Sequence, residues 1–173
     1  MASIARCLRV ARPAAFSAVS RSSASRTPAA RCFSVTAANA IKRYTKEHEW
    51  IDVTADKKTG VVGITEYAAR QLGDIVYVEL PEEGKAVAAG DAIGAVESVK
   101  SAADINAPIS CKITQVNLLL EDKPDTINKV AEDDSHGGGW IAKVQLTEDG
   151  VNEFDALMDE AAYAEFTSEE GDH

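Results

Sequence analysis

From residue 49 onward the chain runs in short apolar stretches with the length and alternation expected of strands. Glu49 to Val53, Val61 to Ile64, Ile75 to Leu80, Ile109 to Val116 and Trp140 to Leu146 all read this way. In the third, Ile75, Tyr77 and Glu79 alternate with Val76, Val78 and Leu80, which predicts one fully buried side. In the last, Trp140, Ala142, Val144 and Leu146 alternate with Ile141, Lys143 and Gln145. Turns are predicted at Lys57-Lys58-Thr59-Gly60, Pro81-Glu82-Glu83-Gly84 and Ala89-Gly90-Asp91. Thr65 reads as a helix N-cap, with Glu66 in the first turn, Ala68, Ala69 and Leu72 as the apolar side, and Gly73 as the stop. Asp122 to Asp125 begins a short turn or helix. Val151, Phe154, Leu157 and Met158 have helical spacing, and a second helical piece follows through Ala161, Ala162 and Phe166. Many short strands broken by Gly and Pro predict a mostly β fold, a sandwich or flattened barrel with a few short helices.

The stretch that organises the chain is residues 94–108, a predicted β-hairpin with Lys100 at its tip. Before the tip, Ala92, Gly94 and Val96 share one side, with Ile93 and Ala95 on the other. After it, Ala103 and Ile105 alternate with Asp104 and Asn106. A lysine at such a tip is reachable by another protein's active site. Acylation there would turn a solvated ammonium into a neutral amide. A surface lysine that merely solubilises a turn has the same spacing.

Charge divides the chain. Residues 1–43 carry eight Lys or Arg and no Asp or Glu; the rest carries ten basic and all 28 acidic residues, a net charge of −18. So acidic a body argues against nucleic acid and anionic membrane as partners. Arg6, Arg9 and Arg12 recur among Ile4, Leu8 and Val10, and residues 17–25 are Ser-rich and acid-free. This is the composition of a mitochondrial or plastid transit peptide, although a disordered basic arm shares part of it. Arg31-Cys32-Phe33-Ser34 resembles a matrix-protease cleavage site. The resulting division is a mitochondrial transit peptide over 1–33, a flexible linker over 34–43, a carrier domain over 44–167 and an acidic tail over 168–173. The expected location is the mitochondrial matrix. Past the presequence only Cys111 remains, so no internal disulfide can form there. His48, His136 and His173 lie at no metal-ligand spacing. The glycine cluster in Asp133 to Gly139 reads as a flexible loop. With no nucleophile elbow and no phosphate-binding glycine pattern, the chain reads as a carrier rather than an enzyme.

Val96-Glu97-Ser98-Val99-Lys100-Ser101-Ala102-Ala103-Asp104, followed by Asn106-Ala107-Pro108-Ile109-Ser110, closely resembles the lipoyl-attachment hairpin of the glycine cleavage system H-protein family. Tyr44-Thr45-Lys46-Glu47-His48-Glu49-Trp50 resembles that family's first strand. Val62 to Ala68 and Leu72 to Pro81 resemble its helix and next strand. Glu121-Asp122-Lys123-Pro124, Ile127-Asn128 and Gly139-Trp140 resemble its later landmarks. The resemblance runs in order from Tyr44 to Phe166. It implies the barrel-sandwich hybrid of lipoyl and biotinyl carriers, with lipoate attached to Lys100. It also implies three partners: glycine decarboxylase (P protein), which loads an aminomethyl group; aminomethyltransferase (T protein), which takes it; and dihydrolipoamide dehydrogenase (L protein), which reoxidises the dithiol. Lipoylating enzymes would act on the hairpin, with Glu97 as a recognition residue.

For the cleft that shields the loaded arm, the resemblance implies Glu49, Asp104 and Ile64. Solvated strand acids account equally well for Glu49 and Asp104, and a plain core position accounts better for Ile64. Cys111 departs from the family pattern, where glycine follows the Pro-Ile-Ser stretch. If that position needs a positive φ, the cysteine is strained. Leu118-Leu119-Leu120 is more apolar than an exposed loop and either packs under the next turn or meets a partner. Other functions fit less of the chain. A biotin carrier would have methionines where Val99 and Ser101 stand. A lipoyl module of a 2-oxoacid dehydrogenase is usually joined to a catalytic domain. A Schiff-base lysine needs desolvation. A lipoate relay to other enzymes shares every residue with the first reading.

Overall fold

The computed structural model describes residues 40–170. The predicted transit peptide, most of the predicted linker and the last three residues lie outside that range. In chain order the elements are β1 (Ile41–Tyr44), β2 (Glu49–Val53), β3 (Thr59–Ile64), α1 (Glu66–Leu72), β4 (Ile75–Glu79), β5 (Ala86–Val87), β6 (Ala92–Ser98), β7 (Ala102–Asn106), β8 (Cys111–Val116), α2 (Leu119–Asp122), α3 (Thr126–Val130), β9 (Ala142–Leu146), α4 (Glu148–Ala156) and α5 (Glu160–Glu170). They form a six-stranded sheet in the order β1-β2-β3-β9-β8-β5 and a three-stranded sheet in the order β4-β6-β7. Every pairing is antiparallel.

The main core lies between the sheets. Ile51, Val62, Ile113 and Val144 enter it from the larger sheet, and Val78, Val96 and Ile105 from the smaller. The expected single buried side of residues 75–80 does not form. Ile75 and Val78 are buried, whereas Val76 and Tyr77 are exposed. A bulge between Ile75 and Tyr77 inserts an extra residue opposite β6 and breaks the two-residue period. A second bulge, between Ala92 and Gly94, puts Ile93 and Val96 on the inner side together. That differs from the sequence reading, which grouped Val96 with Ala92 and Gly94.

A smaller aromatic core joins Tyr44, Trp50, Trp140 and Tyr163. Trp50 Nε1 donates to the Ile64 and Ala131 carbonyls at 2.9 and 3.2 Å. Tyr163, on α5, stacks on Tyr44 with ring centroids 4.6 Å apart and planes 7° apart. Its hydroxyl lies 2.8 Å from Thr65 Oγ1 and 2.9 Å from His48 Nδ1. These contacts carry α5 through Glu170, whose carboxylate pairs with His48 Nε2 at 3.2 Å. Residues 168–170 are therefore helical, not part of a tail. At the other end residues 41–43, placed in the linker, form β1 against Ile51 to Val53.

Local signals account for several boundaries. Thr65 caps α1, its hydroxyl accepting from the Ala68 N–H, and Gly73 ends the helix at φ 81°. Thr147 caps α4 in the same way. Leu120 is fully buried while Leu118 stays exposed, so the leucine run packs through one of its members. The predicted loose loop before Trp140 is fastened. Gly138 and Gly139 sit against the backbone of Asp133 and Val130, and Asn117 Nδ2 donates to the carbonyls of Gly138 and Trp140 at 3.0 and 2.7 Å.

Candidate functional site

Lys100 stands exposed in the three-residue turn, 99–101, between β6 and β7. Ser98 builds that turn. Its N–H donates to the Ser101 carbonyl at 2.7 Å, while its hydroxyl accepts from the N–H groups of Ser101 and Lys100 at 3.0 and 3.3 Å. A short polar residue can fold back on its own backbone in this way, which fixes a tight turn. The tip leans on the end of α1. The Val99 N–H donates to the Asp74 carbonyl at 3.1 Å. A Cβ placed on Gly73 would lie 3.4 Å from Lys100 Cε. Around the tip Val76, Tyr77 and Val99 are exposed. Glu97 is exposed on β6, between Tyr77 on β4 and Ala102 on β7.

Glu49 occupies the opposite extreme, at 2 % exposure. Its Oε1 accepts from Asn106 twice, from the backbone N–H at 3.0 Å and from Nδ2 at 3.2 Å. Its Oε2 accepts from the Thr45 hydroxyl. Three donors take three of about four lone-pair sites on a carboxylate, which leaves capacity for one more. Ile64 is the direct partner of Glu49 across β2 and β3 and belongs to the main core. Asp104 is exposed on β7, two residues before Asn106 and opposite Ala95, whose other neighbour is Glu79 on β4. Glu49 and Ile64 are thus adjacent, while Asp104 lies on the strand whose last residue, Asn106, binds Glu49.

Glu49 and Asn106 line a cavity of 370 Å³, whose apolar wall is supplied by Pro108, Leu157 and Met158. Lys100 lies at the far end of β7. Five strand steps separate Ser101 from Asn106, roughly 17 Å. A bare lysine cannot cover that distance. Tyr44 is also on the wall, and burial, followed by the charge of Glu132, raises its phenol.

Cys111 lies in β8 opposite Val87 and Leu146, and its backbone is not in the left-handed region. The anticipated strain is absent, because the cysteine extends a strand instead of turning a corner. Burial, with the charge of Glu153 adding, pushes its thiol up to about 11. One residue that serves the tip was not singled out for that role in the sequence. Asn128 binds the backbone of Gly73 and Ile75 from 55 and 53 positions away. Ser98, by contrast, was legible as a turn residue, a serine two positions before the tip. Among the described residues no group of three or more His, Cys, Asp or Glu is placed to hold a metal ion, and no helix is long and apolar enough to cross a membrane.

A two-sheet β domain with a lysine at a braced hairpin tip, and a cavity one strand-length away, defines a swinging-arm carrier. The family model described as glycine cleavage H-protein matches residues 42–170. The chain belongs to the glycine cleavage H-protein family. It is 46 % identical over 130 residues to a glycine cleavage system H protein of Thermotoga maritima, covering 75 % of this chain and 98 % of that one. It is also 46 % identical over 129 residues to a Schizosaccharomyces pombe protein whose name places it in mitochondria, covering 75 % and 72 %. The crystal structure of a glycine cleavage system H protein from Mycobacterium marinum superposes with a TM-score of 0.61 at 38 % identity, covering 75 % of this chain and 96 % of that one. The barrel-sandwich fold and the lipoyl-carrier role in glycine cleavage go with this membership.

Proposed function

We propose that the chain is a non-catalytic subunit that carries lipoate on Lys100 and shuttles the aminomethyl group of glycine between enzymes. Glycine decarboxylase (P protein) loads it, aminomethyltransferase (T protein) unloads it, and dihydrolipoamide dehydrogenase (L protein) restores the oxidised arm. The observation that carries the reading is the exposed Lys100 on a turn locked by Ser98 and seated on Gly73 and Asp74. When bound, the lipoyl group supplies a disulfide that accepts a carbon fragment and a thiol that releases it.

The chain's own residues do the rest. The turn presents the lysine amine to lipoylating enzymes, with Glu97 exposed three residues away for them to read. The 370 Å³ cavity shields a labile cargo from bulk water. Glu49 offers its remaining acceptor site to a cationic amine there, Ile64 backs it, and Asp104 adds negative charge along β7. The basic, acid-free segment 1–33 and the mitochondrial name of the fission-yeast relative support a matrix location.

The test is Lys100→Arg in a reaction of glycine with the decarboxylase, followed as carbon dioxide released. The lipoylated parent chain supports release and the variant reduces it to background. Equal turnover with the arginine variant would overturn the assignment.

A further inference from the structure

The seat of the lysine hairpin is three residues long. The Gly73 N–H bonds back to the Ala69 carbonyl and ends α1. The Asp74 carbonyl receives the Val99 N–H, and Lys100 lies over Gly73. Ile75 opens β4 opposite Ser98. The Gly73 carbonyl and the Ile75 N–H both go to one side chain: Asn128 Nδ2 donates to the Gly73 oxygen at 2.7 Å, and Asn128 Oδ1 accepts from the Ile75 N–H at 2.9 Å. Among side chains, carboxamides carry a fixed donor and acceptor side by side, so one asparagine matches a backbone segment as a neighbouring strand would. Asn128 comes from α3, which is anchored in the core by the fully buried Ile127.

We propose that Asn128 is a positioning residue for Lys100: it fixes the Gly73–Ile75 seat and thereby the orientation in which the hairpin tip is offered to its modifying enzyme. The consequence for lipoyl loading rests on the carrier reading above; the mechanical role does not. Asn128 spends its side-chain hydrogen bonds on Gly73 and Ile75 and does not line the cavity, so its effect passes through the Asp74–Val99 bond and the contact over Gly73. Aspartate at this position keeps the size and the acceptor but turns a second acceptor toward the Gly73 carbonyl, which opens the seat selectively.

The experiment uses the full chain and three variants: Asn128→Asp, Asn128→Ala, and Thr147→Ala as a control that removes the N-cap of the distant α4. Amide exchange is followed by NMR, and lipoyl transfer to Lys100 from an activated lipoyl donor is followed with a lipoylating enzyme. Both Asn128 variants are expected to quicken exchange at Ile75 and Val99 by about three- to tenfold, while Val62 and Val144 are unchanged. The control leaves Ile75 and Val99 as in the parent. In the transfer assay KM for the chain rises with kcat nearly constant. Unchanged exchange at Val99 in the folded Asn128→Asp chain would overturn the proposal, as would equal acceleration in the control. If the parent takes no lipoyl group, the carrier reading fails, and the exchange rates still decide the role of Asn128.

Discussion

Glu49 and Asn106 are held together twice, with one carboxylate oxygen receiving both the backbone N–H and the side-chain amide of the asparagine. The pair joins the start of β2 to the end of the lysine hairpin across 57 residues. Glu49→Ala leaves the backbone N–H and side-chain amide of Asn106 without their acceptor and takes the carboxylate away from the Thr45 hydroxyl. A loss of about 3 kcal/mol is expected in urea unfolding. Glu49→Gln keeps an acceptor for Asn106 and should cost about 1 kcal/mol, yet it removes the negative charge offered to the cargo. Folding with impaired shuttle activity is therefore expected for glutamine, and impaired folding for alanine.

Gly63 faces Trp50 so closely that a Cβ there would lie 2.8 Å from the indole. The indole cannot step aside without breaking its bonds to Ile64 and Ala131. Gly63→Ala should cost about 2 kcal/mol by overpacking, with a shift in the tryptophan emission of the folded state. Unfolding followed by fluorescence measures both.

Tyr163 ties α5 to the body by its stack on Tyr44 and its hydroxyl contacts with Thr65 and His48. Tyr163→Phe should cost about 1 kcal/mol and Tyr163→Ala about 3 to 4 kcal/mol, read as urea midpoints.

Alkaline pH should weaken the fold through two buried acids. Burial, with Glu153 adding, raises the Cys111 thiol from its ordinary 9.0 to about 11. Burial likewise raises the Tyr163 phenol to about 12, against the opposing hydrogen bond to Thr65. Each keeps its proton in the fold at a pH where the unfolded chain has released it. Their stabilising contribution is complete below pH 9 and is lost as pH rises toward 11 and 12 respectively. Cys111→Ala should flatten the decline between pH 9 and 11, and native Cys111 should resist alkylation at pH 8.

The parts written in neighbouring residues were legible in the sequence. Thr65 and Gly73 bracket α1 by cap and stop chemistry, and the Lys100 hairpin follows from alternation on both sides of a short polar turn. What the sequence hid depends on distant partners. The inner face of β4 is set by a bulge against β6, which no period within residues 75–80 reveals. Residues 41–43 read as the end of a flexible linker until Ile51 to Val53 pair with them. The last turn of α5 has little apolar face of its own and persists beside His48. For the site, the lysine was visible, while the burial of Glu49, its bond to Asn106 and the clamp by Asn128 required the fold.

The most direct measurement is the intact mass of the chain isolated from its own cells, with fragmentation of the peptide containing Lys100. A lipoyl adduct on Lys100 is the expected result. An unmodified Lys100 in cells that lipoylate other proteins, or a biotinyl group in its place, would contradict the carrier assignment.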